Sequence, residues 1–183
     1  PLSHTAKTIR KNLRTLCEAL GTSYDLSEDE ARAEQALLHA KKLLGETEIA
    51  IDYTATPAPM SLARCLLEHG FRVTRIYADS IAADDQEDFR WLQEHAPDIA
   101  LYATVQVKLR VLPRETQTPT LAIGQKAAYF TGTRHFVNIV EGGGMYGFDG
   151  LRRLAELMEE AHRTERDARD FIQQKGLGCD SCL

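Results

Sequence analysis

The chain has 183 residues, 43% of them hydrophobic and 27% charged, with a formal net charge of −5. That is ordinary usage for one globular domain with room for a sizeable core. The negative balance argues against a nucleic-acid partner, because the basic cluster of Lys7, Arg10, Lys11 and Arg14 is offset by acidic runs at 28–34 and 84–88.

No apolar run reaches membrane-spanning length and nothing at the start reads as a signal peptide. We therefore expect no membrane partner. Four cysteines are few enough to fit a reducing cytoplasm. Pro1 stands first with no Met before it, so we expect a processed chain or, more simply, an excised fragment.

Two helices open the chain. Ile9, Leu13, Leu16 and Leu20 recur at helical spacing until Gly21 stops them. Ser27 with Glu30 has the form of a capping box for a second helix, which Gly45 ends. Both precede any strand, so residues 1–45 read as a helical lead-in.

Alternation follows. A buried strand at 48–53 leads into a helix capped by Thr56, with Pro57 in its first position and Gly70 at its end. A second strand at 72–77 precedes a helix near 85–95. Third, fourth and fifth strands are predicted at 99–104, 120–123 and 135–140. The link at 105–119 lacks clear periodicity. A closing helix from 151 to about 174 carries Leu151, Leu154, Leu157 and Met158 on one face, with Asp149 as its N-cap. The fold class is therefore α/β: a Rossmann-like parallel sheet of about four or five strands flanked by helices, over 46–175, behind the N-terminal helical lead-in. Residues 176–183 make a C-terminal tail.

In such a sheet, ligands bind outside the carboxyl ends of the strands. This singles out the loops at 54–59, 79–85, 103–108, 124–126 and 138–146. In the last of these, Asn138 and Glu141 lead into Gly142, Gly143 and Gly144. Three glycines suit a sharp turn, a close backbone approach, or N–H groups aimed at an anion. A wide turn ahead of the helix is the plainer alternative, with Asn138 and Glu141 serving it. Lys126, just past Gly124, can present an ammonium to an acidic ligand or simply be solvated. Lys108 and Arg110 read as a solvated loop, and His4, His39, His69, His95 and His162 as structural or solvated.

Cys17 and Cys65 lie on apolar helix faces, where a buried inert thiol is usual. Cys179 and Cys182 have metal-ligand or redox spacing. A closed site needs about four ligands, so they read either as an unstructured tail or as part of a metal or cluster site. No G-x-G-x-x-G follows the first strand, and there is no Walker loop and no G-x-S-x-G elbow.

Four segments, in this order, carry a family likeness: Lys7-Thr8-Ile9 with Leu13; Glu48-Ile49-Ala50-Ile51 after Gly45; the Pro119 to Gly124 turn followed by Lys126; and Tyr146-Gly147-Phe148-Asp149-Gly150. Together they resemble the carboxyl-terminal part of nitrogenase component 1 type proteins. That family contains the catalytic subunits, the scaffolds that assemble their cofactor, and related reductases. Where the catalytic subunit has a cofactor-ligating His, this sequence has Asn138, or Val137 if no gap is allowed. His135 falls on the opposite strand face.

An amide is a poor ligand for a soft metal centre, so the likeness points to the assembly scaffolds or the wider nitrogenase-like group. It implies an oxidoreductase or cofactor-assembly subunit whose iron–sulfur-type cluster sits between domains of the full-length parent. Asn138, Glu141, Gly142, Gly143, Gly144 and Lys126 would then line one wall. It implies no metal ligand and no stably bound cluster in this stretch alone. The partners it implies are a homologous component 1-type subunit and an ATP-dependent iron–sulfur reductase. The alternative is a non-catalytic Rossmann-like module that binds a small anionic metabolite at 142–144.

Overall fold

The computed structural model describes residues 3–111, 118–140 and 142–167. Two helices, α1 (Ala6–Ala19) and α2 (Ser27–Leu44), come first. Strands and helices then alternate: β1 (Glu48–Asp52), α3 (Pro59–Glu68), β2 (Arg72–Tyr77), α4 (Gln86–His95), β3 (Ala100–Tyr102), β4 (Thr120–Ile123), α5 (Gln125–Thr131), β5 (Phe136–Val137) and α6 (Gly147–Arg163). The five strands are all parallel, in the order β3-β2-β1-β4-β5. The α/β class, the parallel Rossmann-like sheet and the helical lead-in are as the sequence predicts.

β1 is buried at every position, as a central strand covered on both faces must be. Ile49 and Ile51 join Val73, Ile76, Leu121, Ile123 and Val137 in the larger core, against α2, α3 and α6. Ala50 and Ala122 face the other way, towards a thin layer made by Ala127 and Ala128 of α5, with Tyr77, Leu109 and Phe136. Val73 and Ile76 share a face although three residues apart. Ile49 pairs with Val73 but Ala50 pairs with Arg75, so Thr74 is the extra residue of a bulge that restores the alternation.

α2 is part of the main core, through Ala33, Leu37, Ala40 and Leu44. Only Ile9 of α1 is buried; Leu16 and Leu20 stand exposed.

Several local expectations are corrected. Ser27 and Glu30 form no capping box: Leu26 holds the N-cap position, and Asp25 accepts from the Ser27 amide instead (3.0 Å). The helix after β1 starts at Pro59, not Pro57, behind Ala58. Asp149 is not an N-cap either. It lies inside the first turn of α6, exposed and paired with Arg152 (2.7 Å). α5 was not predicted; seven residues around two alanines give too little periodicity to read. β3 and β5 are shorter than predicted, and α6 stops at Arg163.

Thr56 and the start of α3 are held by a buried polar network. Met60 and Ser61 amides both donate to the Asp85 carboxylate (2.9 Å each), so a residue on the far side of β2 satisfies the orphan N–H groups of α3. Ser61 Oγ also accepts from the His4 amide (2.9 Å) and meets Ser3 Oγ (2.8 Å). His4 Nε2 and Thr56 Oγ1 are 2.9 Å apart. The strap Ser3-His4-Thr5 is thereby buried.

This network carries opposed pH dependences. Burial pushes the His4 imidazole from 6.5 down to about 4. As pH falls through 6.5 the unfolded chain takes a proton that folded His4 refuses until about 4, so stability drops across that window. Burial raises the Asp85 carboxyl from 3.8 to about 6, against the pull of its two amide bonds. Asp85 therefore favours the folded state as pH falls over much of the same range, and a variant comparison is needed to separate the two. Urea melts of wild type and His4→Gln should diverge against wild type by up to about 3 kcal/mol between about pH 7 and about pH 4. A difference that does not change with pH would contradict a neutral buried His4.

Candidate functional site at the carboxyl edge of the sheet

The chain reverses its direction across the sheet between β1 and β4, the place where open α/β sheets form a crevice at the strands' carboxyl ends. Here a carboxylate fills it. Asp52, the last residue of β1, is fully buried. Its oxygens accept from the amides of Thr54 (2.7 Å), Ala55 (3.2 Å) and Ala127 (2.6 Å), and from the Thr54 hydroxyl. Burial pushes its carboxyl above the usual range, against those hydrogen bonds. Gly124 has φ +107°, and a Cβ there would run into the Asp52 carboxylate. Only glycine fits. The anion position at the start of α5 is thus occupied by the chain's own side chain.

The glycine loop is tied to the same place. Gly142, Gly143 and Gly144 have φ of 79°, 48° and 75°. The Gly142 amide donates to Ala55 O (2.7 Å) and the Gly143 amide to Val140 O (3.0 Å). Two of the three N–H groups are therefore engaged by carbonyl oxygens and do not face outward. A Cβ on Gly142 would meet the Tyr146 ring and hydroxyl, whereas one on Gly144 would meet open space. Tyr146 in turn stacks on His4 (centroids 6.1 Å apart). N-terminal strap, β1 loop and glycine loop form one closed set of contacts.

Asn138 follows β5 directly and is fully buried; its Oδ1 accepts from Gln125 Nε2 (2.8 Å). The amide thus orients the first side chain of α5. The next residue, Lys126, reaches back over Tyr53, with Nζ 4.1 Å from the ring centre and donating to the hydroxyl. The Thr104 hydroxyl donates to Asp79. The Asp79 carboxyl is held below its usual range, chiefly by the Thr104 hydroxyl, with Tyr53 and Lys126 adding to it. Lys126, Tyr53, Asp79 and Thr104 link the carboxyl ends of β4, β1, β2 and β3 in a partly exposed polar row.

The structure therefore brings Lys126, Asn138 and the glycines to one edge. Glu141 lies outside the described residues, as do Cys179, Cys182 and the side chain of Arg110. Lys108 is exposed. Sequence reasoning missed Asp52, Tyr53, Asp79, Thr104 and Gln125. An Asp closing an otherwise apolar strand, followed by a Thr two residues on, was the available signal for Asp52. The alternation argument does hold for His135: its Nδ1 meets Ala161 O of α6 (2.9 Å), whereas Asn138 meets α5. Among the described residues no three His, Cys, Asp or Glu side chains are grouped to hold a metal. Burial pushes the Cys65 thiol up, away from thiolate chemistry. No helix among the described residues is long and apolar enough to cross a membrane.

No family model matches the sequence, and no curated protein does. Among solved structures, a nitrogenase Cp1 structure determined at pH 6.5 has a similar fold, with a TM-score of 0.64 and 14% identity. The match covers 89% of this chain and 38% of that one. At that identity the likeness establishes a nitrogenase-like fold and nothing finer.

Two substitutions test the loop geometry by melting in urea. Gly144→Ala should cost about 1 kcal/mol, for positive φ alone. Gly142→Ala should cost about 1–3 kcal/mol beyond that, because the Tyr146 ring must move. Equal costs would contradict the packing. Asp52→Ala, which strands three backbone amides in a dry site, should lose at least about 3 kcal/mol.

Proposed function

We propose that this chain is the last domain of a nitrogenase component 1-like oxidoreductase or cofactor-assembly subunit, with its carboxyl edge as one wall of an iron–sulfur metallocluster or substrate pocket. The observation that carries this is the extent of the fold match: it takes in nearly all of this chain but well under half of the nitrogenase chain. The order of sequence segments points the same way. We keep the division into lead-in 1–45, α/β domain 46–175 and tail 176–183 as part of the proposal, together with a cytoplasmic setting.

The donor set fits a wall that hydrogen-bonds a cluster better than one that ligates it. Lys126, the Gln125 amide held by Asn138, and the tip at Gly144 offer N–H donors. No thiolate stands among the described residues at this edge. Metal ligands, the homologous partner subunit and the ATP-dependent iron–sulfur reductase would all be supplied from outside this chain. Asn138, buried beneath Gln125, acts in this reading as a positioning residue. The rival, a small anionic metabolite held by 142–144, is weakened by the two glycine amides already bonded to carbonyl oxygens.

The test is anaerobic purification of the full-length protein, with iron and acid-labile sulfide measured beside its melting temperature. We expect bound cluster in wild type, and loading cut several-fold in Lys126→Met and Gly143→Ala without loss of folding. The 183-residue chain alone should show no visible cluster absorption. A full-length protein without iron, and without upstream cysteines, would end the proposal.

A further inference from the structure

The amino edge of the sheet, opposite the candidate site, holds an open groove of about 310 Å³, within the ~300–1,000 Å³ range of small-molecule sites. Its origin is a mismatch in strand length. β4 starts at Thr120, but the first β5 residue to pair with it is Phe136, opposite Ala122. Alternate residues of β4 face β5: the Gly124 amide donates to Val137 O and the Ala122 amide to His135 O (2.9 Å each). The same register would give the Thr120 amide to Thr133 O. That rung is missing. Thr133 instead turns its hydroxyl onto Thr120 O. The Thr120 N–H has no acceptor among the described residues, although Thr120 is only 4% exposed. Buried backbone donors are rarely left unpaired, so this one calls for a partner.

Thr47 and Thr120 line the groove at the strand starts, Arg134 and His135 in the link between α5 and β5, and His162 and Glu165 at the end of α6. The ring centres of His135 and His162 are 6.4 Å apart. Because Ala161 O can only accept, His135 Nδ1 at 2.9 Å carries a ring proton, and this bond holds the ring in place. His162 is half-buried and has no hydrogen-bond partner among the described residues. Arg134 pairs with Glu165 through Nε (3.3 Å), but both side chains are mostly exposed (63% and 58%). Such a pair holds little energy, so the guanidinium can turn onto a ligand at little cost. An unclaimed backbone N–H, a guanidinium and an unclaimed imidazole thus border one space from three separate elements. All three can donate to an anionic oxygen.

We propose that this groove binds a small molecule through one anionic oxygen group, a carboxylate or a phosphate, which accepts from the Thr120 N–H, Arg134 and His162. The anion takes the place of the missing ladder acceptor, so the ligand completes β4 where β5 falls short. Hydrogen bonds to an ion are about twice as strong as neutral ones, and here one of them relieves a buried donor that otherwise bears its full desolvation cost. Bound ligand fastens the link after α5 to the end of α6, beside a strand of only two residues, and so stabilises the fold. This inference does not depend on the proposed function, which uses the other edge.

Amide and imidazole NMR of the isotope-labelled chain tests this, in titrations with inorganic phosphate and with succinate at constant pH and ionic strength. We expect a saturable downfield shift of the Thr120 amide proton, with the His162 ring signals moving at the same midpoint. Saturation by phosphate assigns a phosphate group and saturation by succinate a carboxylate; either result supports the site. Arg134→Met and His162→Ala should each weaken binding about tenfold, whereas Arg152→Gln, elsewhere on α6, should leave it unchanged. Neither groove side chain belongs to the core, and the spread of the amide spectrum reports whether each variant stays folded. The probe that binds should raise the melting temperature of wild type more than that of either groove variant. A Thr120 amide that moves with neither probe leaves the groove to water and overturns the proposal, as does wild-type affinity in both variants.

Discussion

One buried carboxylate organises the carboxyl edge of this fold. Asp52 closes β1 where the sheet reverses direction, and three amides converge on it, two from the β1 loop and one from the first turn of α5. A charge in that position must be fully hydrogen-bonded or neutral, so the β1 loop and the start of α5 have little freedom. Gly124 is then obligatory, since any side chain would displace the carboxylate. Lys126 and Gln125 leave α5 in the directions that this constraint sets. A chain that fills its own anion crevice with an aspartate has given up the usual phosphate position of the doubly wound fold. Whatever it meets at this edge must approach further out, over Tyr53, Lys126 and the glycine tip.

A second lock sits on the first. The Gly142 amide binds the carbonyl of Ala55, and Ala55 itself donates to Asp52. Tyr146 covers Gly142 and stacks on His4, which is bonded to Thr56 in the same β1 loop. Residues from the first, middle and last parts of the sequence therefore depend on one another within a few ångströms. The glycines give this loop its three positive φ values, and the amides of Gly142 and Gly143 serve the fold.

The sheet and its flanking helices were legible because they rest on period and punctuation: the apolar run of β1, the stops at Gly45 and Gly70, and the amphipathic face of α6. The caps were not legible. Asp85 reaches α3 across β2, and no local pattern encodes a partner twenty-odd residues away in another element. Ser27, Thr56 and Asp149 had the right chemistry for caps, but tertiary contacts or a nearby alternative decided otherwise. At the candidate site, the strand ends located the right loops, and Lys126, Asn138 and the glycines do meet there. The chemistry within those loops lay in Asp52, Tyr53, Asp79 and Thr104, single residues whose meaning depends on neighbours brought together only by the parallel strand order.

The two faces of the sheet are covered unequally, and that inequality shapes the motions open to the chain. One face carries α2, α3, α4 and α6 over large branched side chains; the other carries seven residues of α5 over alanines. Local opening follows the thinner cover. Amide hydrogens of α5 and β5 should therefore exchange through a small subglobal event, while those of β1 and β4 exchange only when the whole domain unfolds. Lys126 and Gln125 ride on the element with the thinner cover, and the Ala127–Asp52 bond anchors its first turn, so this edge stays in place until that bond opens.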